Sequence, residues 1–340
     1  MSLSIEEQSS LTQSLLRMGL IGEHEQPRLQ PLTGGVSSMI VLVHTARGPI
    51  CVKRALAKLK VAADWQAPVE RSNAEVAWIR VAETIVPQSV PEILGHDKQG
   101  LTFAMRYLDA DEFPVWKARL RDGKVDVGTA QSVARILAAV HNHSADRAEL
   151  AREFANDEAF SALRLDAYFA ESARRNPDCQ SVISRIIDTT RSTRRALVHG
   201  DVSPKNILVG KDRIILLDAE TATWGDPAFD LAFCLNHLLL KCVWRPASKD
   251  EFLACYRLLH KAYLSTIQFE PAQALEMRAC ALLAALLLAR VDGKSPVEYI
   301  TAEAERAALR QFAKSQLAAL PGRLDAIGDA WNEHRSRQKH

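Results

Sequence analysis

The sequence predicts an α+β protein of two unequal parts: a small, β-rich module over residues 1–106 and a larger, mainly helical part over residues 107–340. Three observations carry this expectation. Paired β-rich runs crowd into the first hundred residues around one helical stretch. From Phe229 onward, apolar residues recur at helical spacing. The length of 340 residues fits about two domains of roughly 150 residues each.

The elements follow in order. Residues 39–44 (MIVLVH) and 50–53 (ICVK) read as strands parted by a turn at Gly48-Pro49. Residues 69–86 place Val69, Val76, Ile79 and Ala82 at helical intervals, and Pro87 and Pro91 end that helix. Residues 93–94 and 101–107 (LTFAMRY) read as two further short strands. Beyond Tyr107, the helix over 127–143 carries one stripe of Val133, Ile136, Leu137 and Val140. Residues 160–172 and 181–195 are expected helices. A β interruption follows at 197–198, 207–209 and 214–217. Four or five helical segments then run to the end, bounded by Pro246, Pro271, Gly293, Pro296, Pro321 and Gly322. The apolar run over 279–289, closed by Arg290, is too short for the roughly 20 residues a bilayer span needs, so it reads as a buried helix.

Composition narrows the function classes. Lys plus Arg is 43 against 41 for Asp plus Glu, a formal net charge of +2 that lacks the basic excess of a general nucleic-acid binder. With 47% hydrophobic and 25% charged residues, the chain is globular rather than disordered. The six cysteines form no C-x-x-C pair and several sit in apolar runs. They read as reduced core thiols rather than a disulfide scaffold or a zinc site. The start, MSLSIEEQSS, is acidic and leads into no long apolar stretch, so a cytoplasmic protein with no membrane partner is expected.

The chemistry concentrates in residues 199–206, HGDVSPKN, and 214–218, IILLD. Asp201 follows a short apolar strand, Asn206 precedes the next strand, and Asp218 ends the one after. A hairpin of those two strands brings Asn206 and Asp218 to one end. An amide oxygen and a carboxylate are the hard donors Mg²⁺ takes alongside phosphate. Asp201 beside them can accept a proton from an attacking hydroxyl. Taken singly, Asp201 and Asn206 read first as turn residues; the ordered set points to phosphoryl transfer.

This stretch resembles the catalytic loop of protein-kinase-like enzymes, H-x-D-x-x-x-x-N followed by a metal-binding Asp. The Gly200 after His199, the D-x-E of Asp218 and Glu220, and residues 224–232 (WGDPAFDLA) resemble the aminoglycoside phosphotransferase and choline kinase family of small-molecule kinases. The resemblance runs in ordered motifs over about 32–232 and implies a two-lobed protein-kinase-like fold using ATP and Mg²⁺. It implies Asp201 as catalytic base, Asn206 and Asp218 as metal ligands, and His199 and Asp230 as supports of the catalytic loop. Gly34, Gly35, Ser37 and Ser38 would face the phosphates, with Ser38 where relatives often carry Asn. Lys53 would meet the α/β-phosphates, and a helix Glu would hold it, Glu75 ahead of Glu70. Met105 and Tyr107 fall in the segment that resembles the adenine-contacting hinge. Glu220 would assist a second metal or the substrate. Without the resemblance, the Gly-Gly pair could be only a turn and Lys53 an exposed strand lysine.

The metal-binding Asp is not followed by the Gly of D-F-G and no A-P-E follows, which favours a small-molecule acceptor over a protein. Residues 109–126 mix five acids with four bases and announce no cation funnel; Trp116, Tyr168, Trp224 and Trp244 could furnish an aromatic cage. A sugar, an amino alcohol or an aminoglycoside all stay open as acceptor. The alternative is a catalytically silent nucleotide-binding scaffold, which predicts loss of one of Lys53, Asp201, Asn206 or Asp218; all four are present.

Overall fold

The computed structural model describes residues 3–32, 38–56 and 69–337. The expected phosphate-loop residues Gly34, Gly35 and Ser37 lie outside the described residues.

Helix α1 (Ile5–Arg17) opens with a capping box: the Ser4 hydroxyl accepts the Glu7 N–H at 3.1 Å, and the Glu7 carboxylate accepts the Ser4 N–H at 2.8 Å. Strands β1 (Arg28–Pro31), β2 (Ser38–Thr45) and β3 (Gly48–Ala55) follow, then α2 (Arg71–Ile85), β4 (Ile93–Asp97) and β5 (Thr102–Arg106). The strands form one antiparallel sheet in the order β1-β2-β3-β5-β4. Two elements, α1 and β1, are additions to the sequence reading. The helix buries only Leu11, Ser14 and Leu15, and β1 is a four-residue edge strand, RLQP, so neither carries a strong period. Leu101, expected in a strand, turns at φ 47° instead, and β5 begins one residue later.

Side chains alternate across this sheet, as the period of two requires. Met39, Val41, Val43, Ile50 and Val52 pack on Leu11 and Leu15 of α1. Ile40, Cys51 and Lys53 point the other way, toward a cavity. Arg54 turns back to α1, where its guanidinium reaches the Ser10 hydroxyl at 3.0 Å.

Arg17 ties α1 to the far edge of the sheet through Asp97, at 2.7 and 3.1 Å. Burial pushes the Asp97 carboxyl up, but the Arg17 and Ser14 hydrogen bonds outweigh it and lower it from the ordinary 3.8 to about 2. A carboxyl lowered on folding adds stability above its unfolded value and loses it as pH falls through the folded one. The melting-temperature gap between wild type and Asp97→Asn is therefore expected to be constant near neutrality and to narrow as pH drops from 3.8 toward 2. Differential scanning fluorimetry across pH checks this, and a gap that widens on acidification contradicts it.

The larger lobe begins with α3 (Trp116–Arg121), α4 (Val127–Ser144), α5 (Ala148–Glu153) and α6 (Asp157–Phe160). A ten-residue π-helical stretch, Ser161–Ala170, joins α6 to α7 (Glu171–Arg175), and α8 (Gln180–Ser192) follows. The sequence period over 160–172 fits one continuous helix; the structure winds its middle more widely. Four short strands come next: β6 (Ala196–Val198), β7 (Ile207–Val209), β8 (Ile214–Leu216) and β9 (Thr223–Gly225). β7 pairs with β8 as expected, while β9, which has only three residues to signal it, pairs with β6. Five helices complete the lobe: α9 (Ala228–Trp244), α10 (Lys249–Leu264), α11 (Ala272–Asp292), α12 (Glu303–Ala319) and α13 (Leu324–Arg337). Helices α9 and α11 are buried over most of their length and form the middle of the core. All six cysteines are free and buried. Among the described residues, no helix is long and apolar enough to cross a membrane.

Candidate active site

The β7–β8 hairpin builds the site locally. Ile207 pairs with Leu216, and the Leu217 N–H donates to the Asn206 carbonyl at 2.9 Å, so Asn206 and Asp218 leave the hairpin at one end. The Asn206 amide nitrogen donates to the Asp201 carbonyl at 3.1 Å, which commits its NH₂ to the loop and leaves its oxygen as a donor atom for a ligand. Asp218 adopts φ 69°, a left-handed conformation that Asp tolerates better than most residues and that breaks the strand where the carboxylate is needed.

Asp230, fully buried in the first turn of α9, braces the loop from beneath. Its carboxylate accepts the N–H groups of His199 at 2.7 Å and Gly200 at 2.8 Å, and lies 3.2 Å from His141 Nε2. His141, in the last turn of α4, is thus a buried link between Asp230 and the Tyr263 hydroxyl, 2.7 Å away. Gly200 sits at φ +81°, and a Cβ there would lie 2.5 Å from the Thr221 hydroxyl oxygen, so this turn needs glycine. His199 accepts the Asp201 N–H on Nδ1 at 3.2 Å and meets the edge of Trp78. Its desolvation lowers its pKa, which keeps the ring neutral and suited to that acceptor role.

The other half of the site descends from the sheet. Lys53 Nζ lies 2.7 and 2.8 Å from the two Glu75 oxygens and also bonds Asp218. Glu75 from α2 is therefore the partner of Lys53, while Glu70 stands exposed at the start of that helix. Burial opposes charge on this lysine, but Asp218 and Glu75 outweigh it and hold its pKa above the ordinary value. Asp218 is held well below the carboxylate range, chiefly by Lys53 working against desolvation. Burial raises Glu75, which shares the same cation.

Asp201 is flanked by two cations that the motif reading missed. Arg164 of the π-helical stretch lies 3.1 Å from its carboxylate, and Lys205 lies 3.2 Å away. Desolvation pushes the Asp201 carboxyl up, but Lys205 and Arg164 prevail and its pKa falls below the usual range. Arg164 also donates to the Gly200 carbonyl at 2.5 Å. Lys205 was legible, four residues after Asp201 in the same motif; Arg164, far upstream, had no local signal.

These groups meet around one cavity of about 760 Å³. Ser38, Lys53, Glu75, Met105, Tyr107, Asp201, Asn206 and Asp218 all line it, with Leu32, Ile40 and Leu217 adding apolar wall. Glu220, expected to assist a second metal or substrate, is instead engaged by Arg71 at 3.0 Å and is not part of the lining. Of the aromatic residues considered for a cage, Tyr168 lines the cavity, whereas Trp116 and Trp224 are buried in the core. The donor set at the hairpin end fits a hard divalent cation: Asn206 and Asp218 line the same cavity and offer an amide oxygen and a carboxylate, leaving the remaining positions to phosphate and water.

The arrangement has relatives. Residues 28–254 match the sequence model of APH, the phosphotransferase enzyme family. A methylthioribose kinase of Bacillus mycoides is 25% identical over 231 residues, covering 60% of this chain and 58% of that protein. A methylthioribose kinase of Yersinia enterocolitica is 22% identical over 218 residues, covering 56% and 54%. The chain thus spans little more than half the length of the curated relatives it matches. Among solved structures, an amicoumacin kinase complexed with AMP-PNP superposes with a TM-score of 0.56 at 15% identity, covering 94% of this chain and 95% of that one. A choline/ethanolamine kinase family protein of Mesorhizobium loti gives 0.52 at 15% identity, covering 94% and 99%. At these identities the likeness to solved structures is one of fold, and that fold is the two-lobed, kinase-like α+β architecture. Since the family model spans more than half of its residues, the chain belongs to the APH phosphotransferase enzyme family.

Proposed function

We propose that this protein is a small-molecule kinase that moves the γ-phosphoryl group of ATP onto a hydroxyl of its acceptor. The observation that carries the reading is the ion-paired Lys53 of the sheet, bonded to Asp218, opening on the same cavity as Asp201 and Asn206 of the helical lobe. A phosphate chain lying between these groups meets a cation on one side and a proton acceptor on the other. The methylthioribose kinase relatives act on a small hydroxylated molecule by name, and the structural relative above holds AMP-PNP, in keeping with a nucleotide here.

Each residue has a task in this reading. Lys53, held by Glu75, neutralises phosphate charge. Leu32, Ile40, Met105 and Tyr107 give the base an apolar slot between the lobes. Asn206 and Asp218 would hold Mg²⁺, which when bound withdraws charge from the phosphate oxygens. Asp201 orients the acceptor hydroxyl and takes its proton as the hydroxyl oxygen bonds to the γ-phosphorus. The bond from that phosphorus to the β–γ bridging oxygen breaks, ADP departs, and the proton passes to solvent. Lys205, which lines the cavity, stabilises the charge that builds on the transferring group, while Arg164 pairs with the Asp201 carboxylate and holds its loop. The acceleration comes from placement and charge rather than a covalent intermediate.

The test is a titration of MgATP into the protein, followed by ADP-release assays over hydroxylic compounds with the product mass checked. ADP and a phosphomonoester should form in equal amounts. A protein that binds no MgATP, or releases ADP only with inorganic phosphate in the presence of every acceptor, contradicts the reading.

A further inference from the structure

The helical side of the cavity carries charge that the reaction above leaves unused. Its lining carboxylates are all engaged: Glu75 and Asp218 by Lys53, Asp201 by Arg164 and Lys205, and Glu298 by Lys117. Two lining cations, Lys241 of α9 and Arg290 at the end of α11, have no carboxylate partner among the described residues. Lys241 is 1% exposed and Arg290 8%. Lys241 Nζ stands 3.9 Å from the ring centre of Tyr299 and 4.5 Å from that of Trp244, with no hydrogen-bond acceptor among the described residues. Among the described residues, Arg290 bonds only neutral hydroxyls, Tyr168 at 3.0 Å and Ser295 at 3.4 Å, and neither its Nε nor the Tyr299 hydroxyl has a partner.

A buried cation with no carboxylate in contact is costly, and two of them facing one cavity repel each other. Desolvation, reinforced by Lys117 and Arg290 and only partly opposed by the more distant Glu298, drives the Lys241 pKa well below its ordinary value. An incoming anion removes both penalties at once. We propose that the acceptor is a small organic anion carrying the reactive hydroxyl, its carboxylate or phosphate group received by Lys241 and Arg290. The same geometry disfavours cationic acceptors. The aromatic faces of Tyr299 and Trp244, which could cage a quaternary ammonium, already hold the ammonium of Lys241. Asp111, Glu112 and Asp126, the acids that could attract an aminoglycoside, line a different cleft. This inference rests on the phosphotransfer reading and names its substrate class.

The experiment is calorimetric titration of the full chain, with and without ADP and Mg²⁺, using probes matched in skeleton and differing in charge. Glycerate and gluconate carry a carboxylate, glycerol phosphate and glucose phosphate a phosphate, glycerol and glucose no charge, and ethanolamine and glucosamine a cation. At least one anionic arm should bind, and which one identifies the oxyanion. The neutral and cationic probes should bind on the order of 30-fold more weakly or not at all. Lys241→Gln should erase that preference and Lys241→Arg restore it, while MgATP affinity stays unchanged in both; Arg290→Lys should weaken anion binding in the same sense. A purely structural Lys241 shifts neutral and anionic probes alike. Neutral or cationic probes binding as tightly as anions, or no anion binding, overturns the acceptor assignment. Bound MgATP under those outcomes leaves the phosphotransfer reading standing; absent MgATP binding removes both.

Discussion

Replacing Asp201 by Asn is expected to lower kcat by roughly 10²–10⁴, the range a positioned proton acceptor contributes. The substitution keeps the shape of the side chain and removes its ability to take the hydroxyl proton. It also frees Arg164 and Lys205, which lie 3.1 and 3.2 Å from the carboxylate. Lys205, which lines the cavity, then faces it without its counter-charge, so affinity for the nucleotide polyphosphate should hold or rise. The signature is therefore a split: turnover collapses while the Kd for MgATP does not increase. Steady-state kinetics and calorimetry on the same preparation measure both. A variant that turns over at the wild-type rate would remove Asp201 from the chemistry, and one that loses MgATP affinity in proportion to turnover would make it a binding residue instead.

Asp230→Ala is expected to have the largest effect on the fold of the site. The carboxylate is fully buried and accepts from His199 N at 2.7 Å and Gly200 N at 2.8 Å, with His141 Nε2 at 3.2 Å. Alanine orphans these buried groups, each at about 1–3 kcal/mol. The loss should be on the order of 3 kcal/mol or more, with activity gone because the loop that carries Asp201 loses its anchor. Asp230→Asn, which keeps one acceptor oxygen, should fall between. Denaturant midpoints together with ADP release read out both effects. An alanine variant with an unchanged midpoint would show that the loop is held by other contacts, such as the Arg164 guanidinium on the Gly200 carbonyl at 2.5 Å.

The sequence was most legible where the site is local. Asp201, Asn206 and Asp218 lie within 18 residues, and a hairpin has few ways to arrange its ends, so their convergence followed from spacing. Alternation along β3 likewise implied that Lys53 and Arg54 face opposite ways, and the structure sends one to the cavity and the other to α1. The reading was weakest for elements with thin apolar patterns, α1 and β1, and for Glu220, whose place in D-x-E said nothing of the Arg71 that engages it. Arg290 was noted where it closes its apolar run, whereas Lys241, within LLLKCVW, was not singled out. Which way they pointed was not visible.

By itself, then, the sequence determined the order of lobes, the hairpin that carries Asn206 and Asp218 at one end, and the family, because those depend on local propensity and on motifs read along the chain. Beyond the pairing of Lys53 with Glu75 that the resemblance implied, tertiary structure decided which charges meet. Lys53 and Asp218 are 165 residues apart, and Arg164, Lys241 and Arg290 come from separate helical segments. Their net sign around the cavity is a sum over side chains brought together by packing, and no linear pattern encodes that sum.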